Sequence, residues 1–293
     1  MKGIIAKMKV IVGKNAGFCY GVKRAVDGAK EELNNANENI YCLGEIVHNK
    51  EVVKSLENQG MNVIEDILEA KGKIIIRAHG VSKDIYKIAQ EKGVIIKDYT
   101  CPKVLKIHEI ADKYANEGFF IILTGSKKHP ENIGTISFCG NSYYIVEDED
   151  MVDSAIKEFK NSKIKKLLLI SQTTFSVEKF NKIKEKIKNN ISEDIELVIK
   201  NTICAATKIR QEETQKLAKE VDAMIIVGGK NSSNTKKLYE VAKKYCKKSI
   251  SIENEKDLDL EWFKDCNVVG IMAGASTPQE SIERVQNILL DFK

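Results

Sequence analysis

The sequence is poor in several features that would settle its class quickly. Three prolines and one tryptophan occur in 293 residues, and no Gly/Ser-rich or Pro-rich stretch reads as a linker between domains. No apolar run approaches the roughly 20 residues a bilayer-crossing helix needs, so no membrane partner is expected. The first stretch, MKGIIAKMKVIVGKN, is broken by Lys7 and Lys9 and makes a poor secretory signal. No C-x-x-C pair is present, which argues against a zinc ribbon and a ferredoxin-type electron carrier. The seven cysteines are odd in number and widely spaced. They do not read as a disulfide framework in a chain this long, and the cytoplasm is the expected compartment. The net charge of +5 comes from lysines spread over helical faces without interleaved aromatics. That is a solvated surface, and no nucleic-acid partner is expected.

What is present is one unit repeated three times. An apolar strand delivers a cysteine to the start of a helix in KMKVIVGKNAGFC (Cys19), GVIIKDYTC (Cys101) and IELVIKNTIC (Cys204). A second strand then ends in a polar loop: IYCLGEIVHN, FFIILTGSKKHPEN and AMIIVGGKNSSN. A third strand follows in KIIIRAHGVS, KKLLLISQTTFS and NVVGIMAGASTP. Cys19 leads to His48 after 29 positions, Cys101 to His129 after 28, and Cys204 to Asn234 after 30. The third-strand sites His79, Thr173 and Ser276 follow their cysteines by 60, 72 and 72 positions. Strands alternating with helices predict α/β lobes with mostly parallel sheets, and ligands in such sheets sit beyond the carboxyl ends of the strands. The expected architecture is three small α/β lobes, residues 1–97, 98–199 and 200–293, in a pseudo-threefold arrangement. One cysteine and two polar loops from each would point at a shared centre.

Cys42, Cys139, Cys246 and Cys266 have no repeat partner and read as small buried hydrophobes. Cys19, Cys101 and Cys204 each open a helix, where the thiolate that a metal needs is favoured. Without a C-x-x-C pair, three such thiolates suit a cluster with three protein ligands and one iron left for substrate, and periodicity alone leaves three ordinary core cysteines as the other reading. Three of the four histidines, His48, His79 and His129, fall at equivalent loops, whereas His108 lies inside a helix and reads as structural. The third lobe offers Ser232, Ser233, Asn234 and Ser276 in the matching loops. A hollow lined by His, Ser, Thr and Asn suits a small anion held by many hydrogen bonds. GGKNSS lacks the spacing of a phosphate-binding P-loop. Glu131, two residues past His129, is the carboxylate that directly follows a repeated loop position. It reads either as a proton donor whose pKa burial raises or as compensation of a helix dipole.

The ordered motifs GFCYGVKRA, VHN, RAHGVS, TCP, HPE, SQTT, IC-x-AT with RQ, GGKNSSNT and AGASTP closely resemble the 4-hydroxy-3-methylbut-2-enyl diphosphate reductase family from about Lys9 to Ser281. The resemblance implies a trefoil around a 4Fe–4S cluster ligated by Cys19, Cys101 and Cys204. It implies two-electron reductive removal of the substrate's allylic hydroxyl, the last step of the non-mevalonate isoprenoid pathway. The products would be isopentenyl and dimethylallyl diphosphate, with reduced ferredoxin or flavodoxin as the electron donor. His48, His79, His129, Ser232, Ser233, Asn234 and Ser276 would bind the diphosphate. Glu131 would supply protons and Thr173 would bond near the hydroxyl, with Gln172 and Thr207 supporting that shell. Asn132 stands where this family usually has a small apolar residue. Two other readings share the cysteines: a non-catalytic cluster protein sensing a small phosphorylated ligand, and a three-thiolate zinc hydrolase.

Overall fold

The computed structural model describes residues 8–36 and 38–292. Residues 1–7, Lys7 included, lie outside the described residues. In the first third the elements are β1 (Lys9–Val12), α1 (Tyr20–Asn34), β2 (Ile40–Leu43), α2 (Lys50–Glu57), β3 (Met61–Ile64), β4 (Lys73–Ile76), α3 (Lys83–Glu91) and β5 (Ile95–Asp98). The middle third runs α4 (Pro102–Asn116), β6 (Phe120–Thr124), α5 (Pro130–Ile136), β7 (Tyr143–Val146), α6 (Val152–Asn161), β8 (Lys166–Ser171), α7 (Val177–Asn190) and β9 (Glu196–Ile199). The last third runs α8 (Ala205–Ala218), β10 (Ala223–Val227), α9 (Ser233–Tyr245), β11 (Ser249–Ile252), β12 (Val268–Ala273) and α10 (Gln279–Asp291).

The strands form three four-stranded sheets, ordered β3-β2-β4-β5, β7-β6-β8-β9 and β1-β12-β10-β11. Every pairing in them is parallel. Parallel sheets are covered on both faces, so their strands read as unbroken apolar runs. β10 shows this directly. Ala223, Ile225 and Val227 pack with Val285 and Leu289 of α10, while Met224 and Ile226 pack with Leu217 of α8 and Leu238 of α9. β8 divides the same way: Leu167 and Leu169 join Phe180 and Ile183 of α7, and Leu168 and Ile170 join Ile107 and Ala111 of α4.

The repeat survives, with one change in membership. Each strand that precedes a cysteine is the edge strand of the preceding third's sheet. β5 pairs with β4, β9 pairs with β8, and β1, which has no third before it, pairs with β12. A sequence run shows that a strand exists but not which strand it lies beside.

The described residues form two compact units. One holds the residues through Val22, His48–Val52 and everything from Ala205, and contains the β1-β12-β10-β11 sheet. His48–Val52 is held within it by polar contacts: Ser276 Oγ donates to His48 O at 3.0 Å, and Ser281 Oγ donates to Glu51 at 2.8 Å. The other unit holds Lys23–Val47 and Val53–Cys204, with the remaining two sheets.

Candidate active site

Each repeated cysteine stands immediately before a helix: Cys19 before α1, Cys101 before α4 and Cys204 before α8. Pro102 occupies the first turn of α4, where a missing N–H costs nothing. Each cysteine is also hung by its own N–H from the loop after the third strand of the sheet it borders. Cys19 N donates to Ala275 O at 3.1 Å, Cys101 N to Ala78 O at 3.0 Å and Cys204 N to Thr173 O at 3.0 Å. Cys19 is therefore beside Ser276, Cys101 beside His79, and Cys204 at Thr173. These pairings are offset by one third from the spacings counted along the chain.

The seven cysteines make no disulfide. Cys42, Cys139, Cys246 and Cys266 are buried, and burial pushes the Cys42 and Cys139 thiols up to about 12. Cys19, Cys101 and Cys204 are partly open to solvent. Zinc draws its ligand atoms to about 2.0–2.3 Å from one point. Among the described residues no group of three or more His, Cys, Asp or Glu is gathered to hold a single metal ion.

The unit of Lys23–Val47 and Val53–Cys204 assembles the acid. His129 is the N-cap of α5, with Pro130 in its first turn, and the ring Nδ1 accepts from Glu131 N at 3.2 Å. With Nδ1 an acceptor, the proton of the neutral ring sits on Nε2. His79 meets this ring edge to face, with centroids 5.6 Å apart. Glu131 is 2% exposed. Its carboxyl accepts from Thr173 N at 2.6 Å and pairs with Thr173 Oγ1 at 2.6 Å. Burial raises its pKa to about 7, against the lowering effect of the two Thr173 bonds. The group can therefore hold or release a proton near neutral pH.

Beneath Glu131 lies a buried polar clamp. Asn132 Nδ2 donates to Ser126 O at 2.8 Å and to Gln172 Oε1 at 3.0 Å. Gln172 Oε1 also accepts from Ser126 N, and Gln172 Nε2 donates to Thr174 Oγ1 at 2.7 Å. Gln172, expected to support the shell around the substrate, bonds to protein atoms through both ends of its amide. Gly125 permits this: a Cβ there would lie 2.4 Å from Asn132 Nδ2. His108 lies behind Gly80, stacked on Phe138 at 4.3 Å, and burial holds its ring pKa down to about 4. It packs, and its ring is neutral near pH 7.

The other unit gathers Cys19, His48, Thr207, Ser232, Ser233, Asn234 and Ser276. Ser232 caps α9, its Oγ accepting from Thr235 N at 3.2 Å, so Ser233 and Asn234 stand in the first turn of the helix. Asn234 is 3% exposed, and among the described residues its Oδ1 and Nδ2 have no hydrogen-bond partner. A buried amide left that way costs about 1–3 kcal/mol. Thr207 is buried in the first turn of α8. Gly229 lets the GGKNSS loop close on His48: a Cβ there would stand 2.6 Å from His48 O.

The sequence matches the family described as LytB protein over residues 10–290. The chain belongs to the LytB family. Proteins named 4-hydroxy-3-methylbut-2-enyl diphosphate reductase from Thermoanaerobacter sp. (strain X514) and Clostridioides difficile (strain 630) are 41% and 42% identical to it. The alignments cover 95% and 96% of this chain and 95% and 99% of those relatives. The solved E-1-hydroxy-2-methyl-but-2-enyl-4-diphosphate reductase of Plasmodium falciparum shares the fold with a TM-score of 0.88 at 34% identity, over 96% of this chain and 88% of that one. A second solved (E)-4-hydroxy-3-methyl-but-2-enyl diphosphate reductase, described as the terminal enzyme of the non-mevalonate pathway, gives 0.69 at 38% identity, over 96% and 98%. LytB membership agrees with the family resemblance carried by the nine motifs.

Two features of this LytB chain were not singled out by sequence reasoning. Gly229 could not be told from any loop glycine, because its constraint is a backbone more than 180 positions away. Asn132 was visible only as a departure from the family pattern. Its partners Ser126 and Gln172 come from two other loops.

Proposed function

We propose that this LytB-family chain converts 4-hydroxy-3-methylbut-2-enyl diphosphate to isopentenyl and dimethylallyl diphosphate. The allylic C–O bond breaks, two electrons and two protons are taken up, and water leaves as one proton settles on the allyl carbons. The observation that carries the reading is Glu131: a buried carboxyl with a pKa near 7, bonded to Thr173 and two residues past His129.

The donor set suits a 4Fe–4S cluster. The three cysteines that open helices are the three left partly exposed, and we assign Cys19, Cys101 and Cys204 as its ligands. When bound, such a cluster supplies electrons and an open iron for the hydroxyl oxygen. The protein's own residues do the rest. His129 presents its Nε2–H, with His79 beside it, to the diphosphate. At the start of α9, Ser233 and the buried amide of Asn234 are assigned to the phosphate oxygens. His48, Ser232 and Ser276 complete this set with Thr207 in support, and Gln172 supports the Glu131 shell through its bond from Asn132. Thr173 orients the Glu131 carboxyl, which passes its proton toward the leaving hydroxyl and recovers one for the allyl carbons through the substrate's phosphate. Reduced ferredoxin or flavodoxin is the proposed donor and the cytoplasm the proposed compartment. Among the described residues no helix is long and apolar enough to cross a membrane. The three lobes are assigned to residues 1–97, 98–199 and 200–293, with β1 lent by the first to the last sheet. A ligand-sensing cluster protein would have no use for the Glu131–Thr173 pair.

Glu131→Gln tests the assignment. The amide is isosteric and keeps an acceptor for Thr173 N–H. Substrate affinity, measured by calorimetry, is expected to change less than about threefold, while turnover falls about 10²- to 10⁴-fold. Turnover equal to the parent would remove Glu131 from the chemistry.

A further inference from the structure

Within the unit that holds Cys19, the loop of residues 13–19 leaves β1 and reaches α1. Its two ends are tied to the sheet, by Gly13 N to Ile271 O at 2.9 Å and by Cys19 N to Ala275 O. Its middle is gripped from one face of α8. Glu213 accepts from Lys14 N at 2.6 Å, Asn15 N at 3.0 Å and Asn15 Nδ2 at 2.9 Å. One turn earlier, Arg210 Nη2 donates to Gly17 O at 2.8 Å, and Arg210 Nη1 donates to Ala206 O at 3.0 Å. Residues three apart share a helix face, so the two side chains act on the loop together.

Arg210 is 5% exposed. A buried guanidinium is costly unless its donors are used, and a methionine would pack such a site more cheaply. The carbonyls it joins are informative. Gly17 is two residues before Cys19, and Ala206 is two residues after Cys204. One planar group thus ties the approach to one cysteine to the first turn of the helix that follows another. Gly17 itself has φ +94°, a conformation side chains rarely adopt, so its carbonyl is aimed by a backbone that must be held there.

We propose that Arg210 and Glu213 are positioning residues that set the Cys19 thiol where it can ligate, and that they make this placement depend on the seating of α8. The inference rests on the cluster reading above for its purpose, though not for its geometry. It predicts selective damage. Losing the grip frees Cys19 and leaves Cys101 as it was.

The test uses the 293-residue chain freed of iron, comparing the parent with Arg210→Met, Arg210→Lys and Glu213→Gln. Losing a charge-assisted bond of roughly 1.5–3 kcal/mol corresponds to about ten- to a hundredfold in local opening. In Arg210→Met, amide exchange across residues 13–17 and alkylation of Cys19 relative to Cys101 should rise by about that factor. Arg210→Lys should recover part of it, because one donor survives. Glu213→Gln, at a half-exposed site, should fold normally and show a smaller rise, and it carries the test should Arg210→Met fail to fold. In reconstituted protein, chelator-driven iron loss should accelerate in the same order. Unchanged exchange, or equal increases at Cys19 and Cys101, would overturn the proposal. Increases at Cys19 in a protein that takes up no iron and sulfide would leave the positioning role intact and sink the cluster reading instead.

Discussion

Glu131 and His108 are two buried titratable groups in the same unit whose surroundings push them in ways that oppose each other. Glu131 is raised from 4.5 to about 7, so between those values the folded chain keeps a proton that the unfolded chain gives up. Its contribution to stability is full below pH 4.5 and is lost as pH rises through about 7. His108 is lowered from 6.5 to about 4. Its contribution is full above 6.5 and is lost as pH falls through about 4. Across pH 4.5–6.5 the two slopes oppose each other, and on their account the parent protein should be nearly flat. Glu131→Gln removes one slope and leaves the other. Its unfolding free energy should rise by about 2–3 kcal/mol over that interval and then level off. Urea unfolding of both proteins at several pH values checks this. Parallel curves would mean that Glu131 does not gain its proton by burial.

At the scale of elements, the pairing of β1 with β12 has a consequence that can be measured. In this parallel ladder Lys9 N donates to Asn267 O and Gly13 N to Ile271 O, and the Ile11 N–H lies midway on the same side. Val10 points its N–H away from the sheet, at the open edge. Ile11→Pro should therefore cost roughly 1–3 kcal/mol more than Val10→Pro, through the lost ladder bond. The loss should appear as faster amide exchange in Val268–Ala273, more than 250 positions away. Equal effects of the two prolines would contradict the register.

This pairing also marks the limit of what the chain discloses. The strands, the helices opened by cysteine and the loops carrying His48, His79 and His129 were legible, because each is encoded locally and three repeats test one another. The neighbour of each edge strand was not, since it depends on a partner chosen by tertiary packing. The same holds for side chains that work across long separations. Arg210 was visible only as part of a motif, and Glu213 meets Lys14 across 199 positions. The orphaned amide of Asn234 could not be foreseen, although the residue itself was singled out by its place in the repeat.

For the whole molecule, three four-stranded parallel sheets repeat one plan, and the proposed site residues follow the carboxyl ends of their strands. Such a plan explains why no single local motif identifies the chain, while the ordered set does. LytB membership over residues 10–290 and the TM-score of 0.88 to a solved reductase extend that identity to the entire architecture. What distinguishes a reductase from a sensor on the same scaffold is turnover. The decisive measurement uses anaerobically reconstituted protein, a reduced viologen dye and 4-hydroxy-3-methylbut-2-enyl diphosphate. The account predicts bleaching that depends on substrate and yields both five-carbon diphosphates. No bleaching from protein shown to carry iron and sulfide would contradict it and leave a protein that binds its ligand without reducing it.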